Sequence, residues 1–363
     1  MLAGSDLRAK REAAGLSLSR MAQRTHFARS YLSMIETGKR PVADDVVAAY
    51  EQVLGVPLAL NPGDPLRVAH EWLVNDSPVA VHTRSGRKVS ESLASELEQR
   101  VIELRHLDDV VSCRDLLPAI TKELGEAEQL VSTASFKEPV GRRLFVAVGE
   151  LSQLAGWVAS DAGEYARAQR FYMSGVGAAR EARDRVLGSQ LLSSLSYQIA
   201  NIGDPAEAAL LARTAVMGAE SATPAVRALL LERVAWASAR ARETDATWRA
   251  LDAVDDSFEQ RGDGEPEWVY WLNRNEIDVM AGRCMIELGR PNDAEPLLAN
   301  AIANYPPEHA REVALYLTWL AESHARAGDL DAARQAIQRA RSYAETVSSA
   351  RTDLRLEAVQ RLV

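Results

Sequence analysis

The stretch SYLSMIETGKRP, residues 30–41, reads as the body of a short helix followed by the turn that ends it. Leu32 and Ile35 fall on one helical face, Gly38 supplies a stop, and Pro41 keeps the chain from re-entering a helix at once. Outward from here the same pattern repeats. Leu7, Arg11 and Ala14 mark a first helix that Gly15 ends, and Ser17 caps a second that runs through Thr25 with Met21 and Ala22 inward. After the turn Thr25-His26-Phe27 the third helix spans about Ala28 to Thr37, and a fourth, Asp44 to Leu54, buries Val46, Val47, Tyr50 and Leu54. PLALNPGDP, residues 57–65, holds three prolines and a glycine, which helices avoid, so a boundary is expected there.

Charge divides the chain at the same place. Residues 1–60 carry eight Lys or Arg against six Asp or Glu, net +2, and the remaining 34 basic and 45 acidic residues leave 61–363 at −11. A basic head on an acidic body points to the head as the part that meets a polyanion. The amino terminus lacks an apolar signal segment and no run approaches a membrane span, so a cytoplasmic protein with no membrane partner is expected. Cys113 and Cys284 have no CxxC spacing and read as reduced, buried residues. The preference for Arg over Lys suggests a GC-rich bacterial genome.

The head resembles the XRE family of helix-turn-helix domains, the fold of lambda-type phage repressors. LRAKREAAGLS at the first turn, MAQRT in the second helix and SYLSMIETGKRP across the third carry the resemblance, which covers residues 1–60. It implies a double-stranded DNA operator as partner, with the start of the third helix in the major groove. The base-facing positions are then Ala28, Arg29, Ser30 and Ser33. Arg29 either donates two bonds to guanine or contacts phosphate. Lys39 and Arg40 would clamp phosphates, as would the amides near Ser17 at the start of the second helix. By the same resemblance Arg11 and Glu36 form a buried ion pair bracing the first helix against the third. Leu18 stands where the family often has glutamine, and His26 where it often has a turn glycine.

The body is read as helical throughout. Helices are expected at 65–75, 91–112 and 114–132, the middle one with Leu93, Leu97, Val101, Leu104 and Val111 in a stripe, and RSGRK at 84–88 as a solvated basic loop. From about residue 140 a unit recurs as DAGEYARAQ at 161, NIGDPAEAA at 201, ARETDATWR at 241, ELGRPNDAE at 287 and RAGDLDAAR at 326. Its reference positions, Gly163, Gly203, Arg242, Gly289 and Gly328, are 40, 39, 47 and 39 apart, which means stacked helix pairs. The units resemble tetratricopeptide repeats: Gly282, Ala294, Leu298, Ala301 and Pro306 in the fourth, and Gly156, Ala168 and Tyr172 in the first, fall on signature positions. The domain expectation is a head at 1–60, a linker and leading helices at 61–135, repeats at 136–349 and a last helix at 350–363 that caps the array or joins a dimer. The fold class is all-α: a lambda-repressor-like domain followed by a tetratricopeptide-like solenoid.

One repeat supplies a candidate site. EWVYWLNRNEIDVMAGRCMIELG, residues 267–289, reads as the first helix of the fourth unit, with Trp268, Leu272, Glu276, Val279 and Arg283 on the groove face. The equivalent positions elsewhere are Trp157, Tyr197, Trp236 and Glu322, with Gln153, Gln190, Ser193 and Glu232 beside them. These residues form either the wall of a ligand groove or inter-repeat core, and Glu150, Glu232, Glu276 and Glu322 would make such a groove acidic. Neither metal-ligand spacing, a phosphate loop nor a nucleophile elbow is present, so no enzyme, metal or cofactor is expected. The architecture resembles peptide-responsive quorum-sensing regulators, which implies a homodimeric repressor whose groove binds a peptide or small-molecule effector. The alternative is a scaffold whose repeats dock a partner protein while the head serves as a DNA tether.

Overall fold

The computed structural model describes residues 4–54, 91–109, 111–305, 309–344 and 349–363. The expected helix at 65–75, the boundary at 57–65, the basic loop at 84–88 and Pro306 lie outside the described residues. The fold is all-α, and no strand occurs among the described residues.

The head contains α1 (Gly4–Ala13), α2 (Leu18–Thr25), α3 (Arg29–Glu36) and α4 (Asp44–Leu54). Leu7, Met21, Leu32, Ile35, Val46 and Tyr50 are fully or almost fully buried and form its core. Ser17 caps α2 by accepting from the Arg20 amide at 3.2 Å. His26 takes φ 58°, the left-handed conformation that a turn glycine would supply. Gly4 touches the far end of α3, where a Cβ would stand 1.8 Å from the Ile35 carbonyl oxygen.

Among the described residues the body opens with α5 (Glu91–Asp108) and α6 (Cys113–Thr133), both packed on α7. On α5 the buried stripe is Ala94, Leu97, Val101 and Leu104; Leu93 is on the exposed side and Val111 falls beyond the helix end. Five helix pairs follow: α7 (Glu138–Asp161) with α8 (Tyr165–Ala182), α9 (Arg185–Ile202) with α10 (Pro205–Gly218), α11 (Pro224–Arg240) with α12 (Thr244–Glu259), α13 (Arg274–Glu287) with α14 (Pro291–Asn304), and α15 (Ala310–Ala327) with α16 (Leu330–Ala344). Each pair is a tight hairpin, so α7, α9, α11, α13 and α15 run parallel. Gly156 and Gly282 let the paired helices approach: a Cβ would meet the Tyr172 ring at 2.5 Å in one pair and Leu298 at 2.9 Å in the other.

Four of the five hairpin turns use a left-handed residue, at Gly163, Arg242, Gly289 and Gly328. Arg242 therefore does the conformational task of a glycine, and its guanidinium is tied at 2.8 Å to the Glu287 carbonyl of the next pair. Gly203 adopts a different turn, and Asp204 caps α10 instead.

The fourth unit departs from the sequence expectation. The helix begins at Arg274, not Glu267; Glu267–Val269 is a 3-10 turn and Trp271 lies in the loop behind it. The cause is local, because Asn273 caps α13 by accepting from the Glu276 amide at 3.2 Å and so fixes the helix start. The long 47-residue spacing between Arg242 and Gly289 is this inserted segment.

The last helix, α17 (Ala350–Gln360), packs on α15 and α16, and its first turn reaches across to α7. Ser349 donates to Asp161 Oδ1 at 2.9 Å and Arg351 pairs with the same oxygen at 3.2 Å. Arg355 bonds Glu322 at 2.5 Å and lies 3.4 Å from the Trp319 ring centroid. The head rests beside this junction: α4 packs on α8, and the Ala166 amide donates to Glu51 at 3.2 Å.

Candidate functional site

On the head, Ala28, Arg29 and Ser30 are exposed at the amino-terminal end of α3, and Ser33 is half-buried one turn on. The α3 amino terminus carries no side-chain cap, so its first amides stay open to a polyanion. Lys39 and Arg40 follow the Gly38 turn and are exposed, with the Arg40 guanidinium 5.4 Å from the Tyr31 ring centroid. Ser17 is exposed too. All seven expected DNA-facing residues thus sit at the head surface. Beneath them Arg11 is bonded to both Glu36 oxygens, at 2.7 and 2.8 Å, and Tyr50 donates to the same carboxylate at 2.8 Å. Burial, with the Glu36 bond, lifts the Tyr50 phenol well above its usual value.

In the body the parallel helices enclose a cavity of about 510 Å³, a size suited to a small organic molecule. Trp157, Tyr197, Glu232, Trp268, Glu276 and Arg283 line it, as do Gln153, Gln190 and Ser193. Trp236 lines a neighbouring space of about 170 Å³, which shares Trp157, Tyr197, Arg283 and Arg351 with the first. Trp157 stacks on Tyr197 at 5.9 Å, the Tyr197 hydroxyl meets Arg283 at 2.9 Å, and Arg283 lies 4.2 Å from the Trp236 ring. The equivalent positions of successive repeats therefore touch one another. Glu322 is elsewhere, paired with Arg326 and Arg355 outside the larger cavity.

The wall also contains residues that repeat spacing does not reach. Arg105 and Asp108 come from α5, Asp109 from the turn just after it, and Arg351 from α17. Tyr270, in the inserted segment, donates to Asp109 at 2.5 Å, while Arg311 meets Asp108 at 3.4 Å. These contacts join the first body helix to the last repeats across the concave side. The acidic groove expected from the sequence is corrected by them: five arginines, at 105, 233, 283, 311 and 351, face five carboxylates, at 108, 109, 232, 276 and 312.

The charges are unevenly satisfied. Glu276 accepts from Tyr316 at 2.6 and 2.7 Å and from Tyr305. Glu232 is 2% exposed, and its Oε1 has no hydrogen-bond partner among the described residues. Burial, only partly offset by Arg233 and Arg283, pushes its carboxyl up to about 8. Tyr197 shows the reverse: burial alone would raise its phenol, but the cations Arg283, Arg351 and Arg233 outweigh that and bring it down to about 8. Arg283 Nε and Gln190 Oε1 also lack partners among the described residues. No group of three or more metal-binding side chains occurs among the described residues.

Comparison with known proteins identifies the head. Residues 7–61 match the helix-turn-helix family, and this segment is an XRE-type helix-turn-helix domain. That family comprises DNA-binding regulators, not enzymes. Beyond the head the described residues are helical. Among solved structures it is similar to one titled "Crystal structure of BtubC (BKLC) from P. vanneervenii", at 15% identity and a TM-score of 0.45, covering 65% of this chain and 92% of that one. No curated protein matches the chain. No helix among the described residues is long and apolar enough to cross a membrane.

Proposed function

We propose that the protein is a sequence-specific transcriptional regulator, acting as a repressor, whose repeat body binds a small effector and thereby alters DNA binding by the head. The observation that carries this reading is the pairing of an XRE-type head with a charged cavity in the body on which it rests. Arg351 lines the cavity and pairs with Asp161; two residues on, a Cβ placed on Gly163 would stand 3.9 Å from both Gln52 of α4 and Ala350. A ligand that draws on Arg351 would therefore shift the surface on which the head rests. Repression by occlusion needs no further surface, and a homodimer would place two α3 helices one DNA turn apart. The parallel helices and their close-approach glycines support a tetratricopeptide-like array, and a peptide remains one candidate effector.

The test is selection of DNA from a random library by the full chain and by Arg29→Ala. An enriched motif with twofold symmetry, lost in the variant, supports the reading. The absence of any enriched motif rejects it and favours the scaffold alternative.

A further inference from the structure

Three buried ionisable side chains in the cavity have no ion-pair partner among the described residues. Glu232 is 2%, Arg283 5% and Arg233 6% exposed. Arg283 spends its guanidinium on the Tyr197 hydroxyl and on ring faces, and Arg233 lies 4.4 Å from the Tyr197 ring centroid. Aromatic faces stabilise a cation only in part, and a guanidinium does not shed its proton. Isolated buried charges are expensive unless something pairs with them.

The charges are also ordered along the cavity. On α13, Glu276 precedes Arg283 by seven residues, about 10 Å of helix rise. On α9, Gln190 precedes Tyr197 by the same interval, and Tyr197 is bonded to Arg283. Glu232 lies four residues before Trp236, the α11 residue that Arg283 touches. Because α9, α11 and α13 run parallel, the unpartnered oxygens of Gln190 and Glu232 lie toward one end of the cavity. The Arg283 guanidinium, bonded to the Tyr197 hydroxyl, lies toward the other. The walls between are Trp157, Tyr197 and Val279.

We infer that the cavity binds a small dipolar molecule, an amine held at Glu232 and Gln190 and an acid group held at Arg283, with its chain laid along the aromatic wall. This deepens the effector reading above and rests on it for its regulatory meaning only. The chemistry is met by an ω-amino acid or by a short peptide with free termini. Since the empty Glu232 carboxyl holds its proton at neutral pH, an ammonium group entering there ionises it, and one proton leaves to solvent.

The test is calorimetry on the full chain without DNA, using ω-amino acids from glycine to 8-aminooctanoate, triglycine, and hexylamine and hexanoate as single-charge controls. A six- to eight-carbon amino acid or triglycine should bind at least about ten-fold more tightly than glycine or either control. It should release a proton at pH 7, read from the dependence of the heat on buffer ionisation. Triglycine above the alkyl series points to a peptide source, and the reverse order to a free amino acid. Glu232→Gln keeps the shape and neutrality of the protonated carboxyl and so keeps the fold. It should bind these probes no better than hexanoate and release no proton. Hexanoate binding as tightly as the amino acids, equal binding to Glu232→Gln, or no binding by any probe would overturn the inference. A chain that binds the dipolar probe yet keeps its operator affinity unchanged would instead remove the regulatory reading and leave this one standing.

Discussion

The head and the body bury the same kinds of charge and treat them oppositely. In the head, Arg11 is matched by Glu36 through two short bonds, and Tyr50 satisfies the same carboxylate. In the body, Arg283 and Glu232 are buried as deeply, and each leaves a polar atom without a partner among the described residues. A completed pair holds a shape, whereas an incomplete set leaves polar atoms able to bond a ligand.

The largest expected effect breaks the completed pair. Arg11→Ala leaves Glu36 buried with only a tyrosine donor and should cost about 3–5 kcal/mol of head stability. Residues 1–54 contain no tryptophan, so the loss appears as an early urea transition by circular dichroism that tryptophan fluorescence does not follow. A coincident transition at the wild-type midpoint would show that the pair does not brace the head.

Packing in the body offers the next test. Gly156→Ala drives a methyl group into the Tyr172 ring and should destabilise the repeats by about 1–3 kcal/mol, measured by fluorescence-detected urea unfolding. On the head surface, Arg29→Ala should weaken operator binding by about 1–3 kcal/mol with loss of base preference if Arg29 reads guanine. Lys39→Ala should instead weaken all sequences alike and lower the salt slope by about one. Fluorescence anisotropy across a salt series separates the two.

The smallest effect is in the pH dependence. The Glu232 carboxyl ordinarily titrates near 4.5 and is raised to about 8 here. Between those values the folded protein keeps a proton that the unfolded chain releases. Stability therefore falls as pH rises through that window, by at most about 1.4 kcal/mol per unit. Urea titrations at pH 6, 7 and 8 should show the slope, and Glu232→Gln should reduce it.

Much of this was legible in the sequence because local rules governed it. The head helices and the Ser17 cap follow from residue type and spacing, and the left-handed turn at His26 from the resemblance to a family that often has glycine there. The groove positions Trp157, Tyr197, Trp236 and Arg283 followed from repeat register, and the fold brings them into contact. The register failed where a cap overrode periodicity: Asn273 with Glu276 three residues later is a helix-start signal inside an apparently continuous apolar pattern. Trp268 nevertheless reaches the cavity, from a 3-10 turn instead of a helix face. Arg105 and Arg351 were invisible to repeat arithmetic, since they arrive from helices outside the repeats, brought there by tertiary packing. They also overturn the expected acidic character of the cavity.

The most direct test of the contrast between completed and incomplete charge sets is to compare Glu36→Gln with Glu232→Gln in urea denaturation at pH 8. The account predicts opposite signs: the first loses on the order of 3 kcal/mol because Arg11 is stranded, and the second is unchanged or more stable because an unpaired carboxylate is gone. Loss of stability in both variants would mean that Glu232 is a satisfied part of the core, and the claim that the body holds its charges for a ligand would fall.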